Sequence, residues 1–266
     1  LNVSNKSISN LTGIEGFTAL TSLQCDNNQL TELNVTGNPA LTSLNCGNNQ
    51  LAELNVTSNP ALTSLKCGNN QLAELNVTSN SALTVLWCDS NSLSEVNVTS
   101  NSALTVLSCY SNELTELNVT SNFVLTMLWC WGNQLTTLNL SSNLALTRLY
   151  CESNLLQSLD LSSNEDLTDL YCNTNLLTSL DISKNIALTD LDCSNNQLET
   201  LDVRNKNNSE LTKFDSRDNL NLSCIYVDDI SYSTTNWTNI DPASAFVTNE
   251  AACAALSLGD TAFELD

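Results

Sequence analysis

Nine cysteines recur along the chain at a constant interval, beginning at Cys25 and Cys46 and ending at Cys193. The full set is Cys25, Cys46, Cys67, Cys88, Cys109, Cys130, Cys151, Cys172 and Cys193. A strict period of about 20 residues predicts a solenoid, in which each repeat stacks only on its neighbours. The remaining cysteines, Cys224 and Cys253, lie outside this period.

One repeat runs from Leu41 to Ala61 and contains two similar halves, LTSLNCGNNQ and LAELNVTSNPA. Each half follows the pattern L-x-x-L-x-(C or V)-x-x-N. The alternation inside each half predicts a short strand, and the closing Asn predicts a turn whose side chain bonds the adjacent coil. Since no segment has a sustained helical period, we expect a β-rich solenoid with little helix, weak curvature and parallel strands in both halves of every coil.

The pattern L-x-x-L-x-C-x-x-N-x-L resembles the leucine-rich repeat, and the nested halves resemble its bacterial IRREKO variant. About nine repeats match, from Leu20 to Val203. The opening ISNLTGIEGF, Ile8 to Phe17, resembles the N-terminal cap of secreted flavobacterial leucine-rich repeat proteins. The segment that begins at Cys224 resembles their C-terminal cap, and the closing LGDTAFELD, 258–266, resembles the linker before a type IX secretion sorting domain in Bacteroidetes.

This resemblance implies three regions: an N-terminal cap at 1–19, a leucine-rich repeat solenoid at 20–216, and a C-terminal cap with linker at 217–266. It also implies a secreted or cell-surface bacterial protein. Because secreted proteins tend to pair their cysteines, a disulfide between Cys224 and Cys253 is expected, with two buried thiols as the alternative.

The nine periodic cysteines are interpreted as packing residues. Stacked strands lie about 4.8 Å apart, so these thiols form a column inside the solenoid, where a free Cys behaves as a small hydrophobe. A straight column gives poor geometry for disulfides, and it does not converge four ligands on a zinc ion.

The charge balance excludes several classes of function. The chain has 8 Lys and Arg against 29 Asp and Glu, a formal net charge of −21, and no histidine. Nucleic acids and anionic membranes need clustered basic residues, which are missing, and no apolar run approaches the roughly 20 residues that insertion into a bilayer needs. Without histidine there is no Ser-His or Cys-His pair, and a flat strand face offers no cleft, so we expect no enzyme.

The outward residues of the first half carry the candidate binding site. Numbering that half L1-x2-x3-L4-x5-C6-x7-x8-N9, positions 3, 5 and 7 point outward and form what we call the strand face. Large aromatic residues occupy it in the middle coils: Trp87, Tyr110, Trp129, Trp131, Tyr150 and Tyr171. Val85, Val106 and Met127 lie beside them. Exposed apolar patches with Trp and Tyr usually mark interaction sites.

Two kinds of ligand fit this strip, and one structural role competes with them. The leading partner is a protein, bound in adhesion or surface assembly. The runner-up is a polysaccharide whose rings stack on the aromatic residues while polar side chains bond its hydroxyls, namely Asp89, Arg148, Glu152, Asp169 and Asp192. The alternative is that the aromatic residues are cross-strand ladders that stabilise neighbouring coils.

The second half presents a column of glutamates at its position 3: Glu32, Glu53, Glu74, Glu95 and Glu116. Such an oxygen-rich column could hold Ca²⁺ weakly, but no compact calcium loop is present. We interpret the column as a solvated acidic face that keeps the protein soluble, and we expect no cofactor.

Overall fold

The computed structural model describes residues 1–261, with side chains up to residue 256. The chain divides into two compact units, Leu1–Leu146 and Thr147–Asp266, which we call unit 1 and unit 2. The linker-like segment 258–266 therefore lies outside the described side chains.

Unit 1 is a stack of coils, each contributing one three-residue strand to a parallel sheet. The strands are β1 (Ser22–Gln24), β2 (Ser43–Asn45), β3 (Ser64–Lys66), β4 (Val85–Trp87), β5 (Val106–Ser108) and β6 (Met127–Trp129). Each pairs in parallel with the next, with equivalent repeat positions in register. The Leu at position 4 of each strand is fully buried while its neighbours face outward, as the alternating pattern predicts.

The N-terminal residues extend this stack. The backbone N–H of Val3 donates to the carbonyl of Gln24 at 2.8 Å, and Asn2 forms a parallel bridge with Gln24. A 3₁₀ turn at Ile14–Gly16 follows, with Ile14 buried. The segment expected to be an N-terminal cap thus lies against β1 as one more coil.

Unit 2 contains two parallel sheets and two helices. Its strands are β7 (Arg148–Tyr150), β8 (Asp169–Tyr171), β9 (Ser179–Asp181), β10 (Asp190–Asp192), β11 (Thr200–Asp202), β12 (Lys213–Asp215), β13 (Cys224–Tyr226) and β14 (Ala245–Val247). The first sheet has the order β7-β8-β10-β12, and the second has the order β9-β11-β13-β14. The helices are α1 (Ile230–Asn236) and α2 (Glu250–Thr261).

The sequence predicts a strand in the second half of every coil, but in the described part of the chain these strands form only in the later coils. Within the described residues they form only from β9 onward, and no described second half of unit 1 forms a strand. Position 3 of the second half is glutamate in the first five coils, Thr137 and Ser158 in the next two, Ser179 in β9 and Thr200 in β11. Like charges directly opposite each other destabilise a sheet, so the glutamate column opposes pairing in the first five coils. Since Thr137 and Ser158 form no strand either, this repulsion alone does not decide where pairing begins.

The interior of each coil is held by cysteine and asparagine side chains. All nine periodic cysteines are buried. Burial raises the pKa of thiols such as Cys88 and Cys109 far above the usual value, so they stay protonated. The closing Asn of each first half bonds backbone as predicted; for example, the Asn112 amide donates to the carbonyls of Cys88 and Cys109, and its Oδ1 accepts from the Leu93 N–H.

An apolar cluster covers the last coil of unit 2. Trp237 is 2% exposed, stacks on Phe214 with ring centroids 4.5 Å apart, and donates its indole N–H to the carbonyl of Leu211 at 2.9 Å. Cys224 and Cys253, the pair expected from the resemblance, are joined by a disulfide with their Cα atoms 5.9 Å apart. A solenoid needs such a cover because its terminal layer would otherwise expose apolar side chains. Within the described residues, no helix has the length and apolarity that crossing a bilayer requires.

Candidate binding surfaces on the strand face

Four of the predicted aromatic residues lie together in unit 1, and we call them the aromatic patch: Trp87, Tyr110, Trp129 and Trp131. All four are half-buried. The register of β4, β5 and β6 places Trp87, Ser108 and Trp129 in one line. Because Ser108 is small, the two indole rings lean over it until their centroids are 6.2 Å apart, and Ser108 is left 1% exposed.

The neighbouring position-7 residues form a second aromatic pair. The rings of Tyr110 and Trp131 stack at 4.2 Å with an interplanar angle of 7°. Asp89 lies next to this pair and accepts a hydrogen bond from the Ser108 hydroxyl at 3.1 Å. Burial, assisted by the Asp89 charge, raises the pKa of the Tyr110 phenol, which therefore stays neutral at physiological pH.

A basic residue that sequence reasoning did not single out completes the patch. The Nζ of Lys66 lies 3.7 Å from the ring centroid of Trp87, in cation–π geometry. Lys66 occupies position 5 one coil before Trp87, so the repeat alignment itself could have indicated this contact.

The remaining predicted residues lie in unit 2. The rings of Tyr150 and Tyr171 stack at 4.9 Å with an interplanar angle of 27°. Beside them the Nε of Arg148 lies 3.5 Å from Asp169. Asp192 follows Tyr171 on the next strand of the sheet. The predicted aromatic residues thus form two groups, one in each unit. Within each group the rings contact each other, as they would in an aromatic ladder.

Glu152 in unit 2 is electrostatically unusual. Its carboxyl is half-buried, and its Oε2 makes no hydrogen bond within the described structure. Burial, with a smaller contribution from the Asp192 charge, raises the pKa of Glu152 to about 7. At neutral pH this carboxyl is therefore protonated to a larger extent than an ordinary glutamate.

The described residues also form two pockets and one exposed apolar ridge. The glutamate column of unit 1 lines a groove of about 970 Å³ whose floor includes Leu33, Leu54 and Leu75. Away from the strand face, Phe123 and Leu144 are 59% and 60% exposed, which the sequence interpretation missed. A pocket of about 320 Å³ lies in unit 2 near Tyr171 and Asp192. Within the described residues, no group of three or more Cys, Asp or Glu is placed to hold a metal ion.

Solved structures with the same architecture identify the fold. The functional domain of InlJ from Listeria monocytogenes, which includes a cysteine ladder, matches with a TM-score of 0.80 and 36% identity over 89% of this chain. The fold is that of a leucine-rich repeat solenoid. This chain spans 56% of the InlJ domain's length. The fold class expected from the repeat pattern is therefore confirmed.

Two further structures support the same solenoid fold. Internalin inlF from Listeria monocytogenes has a TM-score of 0.69 and 23% identity, covering 80% of this chain and 64% of its own. The leucine-rich effector YopM from Yersinia pestis has a TM-score of 0.56 and 27% identity, covering 69% of this chain and 57% of its own. No family model matches the sequence, and no curated protein matches it significantly.

Proposed function

We propose that this leucine-rich repeat solenoid is a non-catalytic recognition module that binds a protein partner through the aromatic patch of unit 1. Its setting would be adhesion or assembly at a bacterial surface. The observation that carries the proposal is the patch itself. Four large aromatic side chains stay half-exposed on the strand face, and exposed apolar patches of this kind usually mark interaction sites.

The surroundings of the patch favour a protein over a sugar. The side chains of Val85, Val106 and Met127 lie half-buried beside the rings and widen the apolar area. Tyr110 and Trp131 stack on each other, so one face of each ring is already covered and cannot stack on a sugar. Trp and Tyr with flanking aliphatic side chains are the residues that dominate protein-binding hot spots.

The test compares wild type with a Trp129→Ala/Trp131→Ala variant. Proteins captured by the wild-type solenoid are identified, and the affinity of each purified candidate is measured by calorimetry. We expect the double variant to weaken binding by at least about tenfold, the size of a hot-spot effect. A Phe123→Ala/Leu144→Ala variant is the matched control, because it removes exposed apolar area away from the strand face.

Two outcomes would contradict the proposal. One is unchanged affinity in the Trp double variant while circular dichroism shows an intact fold. The other is specific binding to a glycan array that the same variant abolishes, which would assign the patch to a polysaccharide.

A further inference from the structure

We propose that the pocket in unit 2 receives a lysine or arginine side chain of the partner, with Asp192 as its counter-charge. This inference rests on the proposed function, because it takes the partner to be a protein. It adds a second, charged contact in unit 2 to the apolar contact proposed for unit 1.

The C-terminal cap turns the end of the strand face into a pocket. Asn239 forms a parallel bridge with Asp215, so the segment after α1 lies beside β12 as a further wall. This open pocket has a volume of about 320 Å³, at the small end of the range for ligand sites, and it suits one long side chain rather than a large ligand. Its lining includes Tyr171, Asp192, Thr212, Lys213, Asn236 and Asn239.

An aromatic ring and a carboxylate are adjacent in this pocket. Tyr171 and Asp192 are register partners on β8 and β10. Tyr150 stacks on the Tyr171 ring within the sheet, which fixes the ring's orientation, and Tyr171 also lines the pocket. A cation that contacts a ring and a carboxylate together gains both a cation–π and an ionic interaction.

Among the aspartates of this face, Asp192 is the one that forms no ion pair with a described residue. Three of the four aspartates on this face form ion pairs with basic residues: Asp169 with Arg148, Asp190 with Lys213, and Asp215 with Arg217. Asp192 forms no ion pair with any described residue; its Oδ1 accepts from the N–H and hydroxyl of Ser194 at 3.0 and 2.7 Å. One additional positive charge beside Asp192 would give each of the four aspartates an ion-pair partner.

Other occupants fit less well. Lys213 also lines the pocket, but its ammonium is ion-paired with Asp190, so it does not neutralise Asp192. An anion would be repelled by the Asp192 carboxylate, and an apolar group would desolvate that carboxylate without compensation. The chain as a whole, at −21, attracts cationic partners.

The experiment is an NMR titration of the whole chain with Nα-acetyl-arginine amide, using Nα-acetyl-citrulline amide as the neutral isostere. We expect the arginine probe to shift the signals of Tyr171, Asp192 and Asn239 in a saturable manner, with a Kd on the order of 10 mM for a single contact. The citrulline probe should leave these signals unchanged.

Paired variants separate the pocket from general electrostatic attraction. Asp192→Asn should weaken arginine binding about five- to tenfold, because it removes the counter-charge. Asp160→Asn is the matched control in unit 2, since the exposed Asp160 accepts from the N–H of Ser162 as Asp192 does from that of Ser194. This control removes the same charge and should leave binding unchanged.

Equal shifts with citrulline, equal loss in both variants, or no shift at Tyr171 and Asp192 would overturn the pocket assignment. The proposed function fails separately. If the Trp129→Ala/Trp131→Ala variant keeps its protein affinity while the arginine probe still binds at Asp192, the aromatic patch is wrong and the pocket stands.

Discussion

The strand faces of the two units differ although their backbones repeat the same coil. In unit 1 the face is largely uncharged, and its rings are held by other rings and by Lys66. In unit 2 the face is charged, and most of its carboxylates are ion-paired with basic residues, as Asp169 is with Arg148. The buried Leu, Cys and Asn positions are alike in both units. The interior therefore specifies the solenoid, and the outward residues can vary without altering it.

The largest expected effect tests whether the scaffold is equivalent in both units. Asn112→Ala in unit 1 and Asn175→Ala in unit 2 each remove an amide that donates to two cysteine carbonyls and accepts a Leu N–H. Each should lower the free energy of unfolding by about 3 kcal/mol, because buried backbone groups lose their partners. Urea denaturation measures both. A large difference between the two variants would show that the units are not built alike.

A smaller effect is expected from the stacked rings of unit 1. Trp131→Ala removes the ring that covers Tyr110 and should cost about 1–2 kcal/mol of unfolding free energy. Tyr171→Ala removes the corresponding stack with Tyr150 in unit 2 and provides the comparison. If Trp131→Ala has no effect in urea denaturation, the stack makes no net contribution and the rings serve binding alone.

The charged face of unit 2 should make stability depend on pH through Glu152. Its pKa is raised from 4.5 to about 7 on folding, so the folded protein binds the proton more tightly, and stability falls as pH rises through this window. Glu152→Gln should remove this dependence and raise stability above pH 7 by about 1 kcal/mol, after discounting for partial solvent screening. Thermal melts between pH 4 and pH 8 measure it. Parallel curves for the two proteins would contradict the prediction.

The smallest effects concern two basic residues of the strand face. Lys66→Ala in unit 1 removes a cation–π contact, and Arg148→Ala in unit 2 removes an exposed ion pair. Each should change the free energy of unfolding by about 0.5 kcal/mol. High salt should erase more of the Arg148 effect than of the Lys66 effect, since the ion pair is more exposed to screening. Urea titrations at low and high salt would show the opposite order if this comparison is wrong.

Part of the candidate site was predictable because outward positions follow directly from the repeat. The alternation placed Trp87 and Trp129 on one column, and the structure has them there. Their contact over Ser108 was not predictable, because it depends on how far each ring leans from its own strand. The pocket at Tyr171 was also missed, since its far wall comes from Asn236 and Asn239, which belong to no repeat.

The sequence by itself determined the coil: its period, its buried Leu and Cys columns, and its Asn turns. These features are local or repeat at a fixed interval, so each can be assigned from its neighbours in the chain. Only the tertiary structure decided which second halves pair as strands, which carboxylates find a cation, and how the cap closes the last coil. Those outcomes depend on distances between side chains that the linear pattern leaves open, such as the distance that decides whether Lys213 pairs with Asp190 or with Asp192.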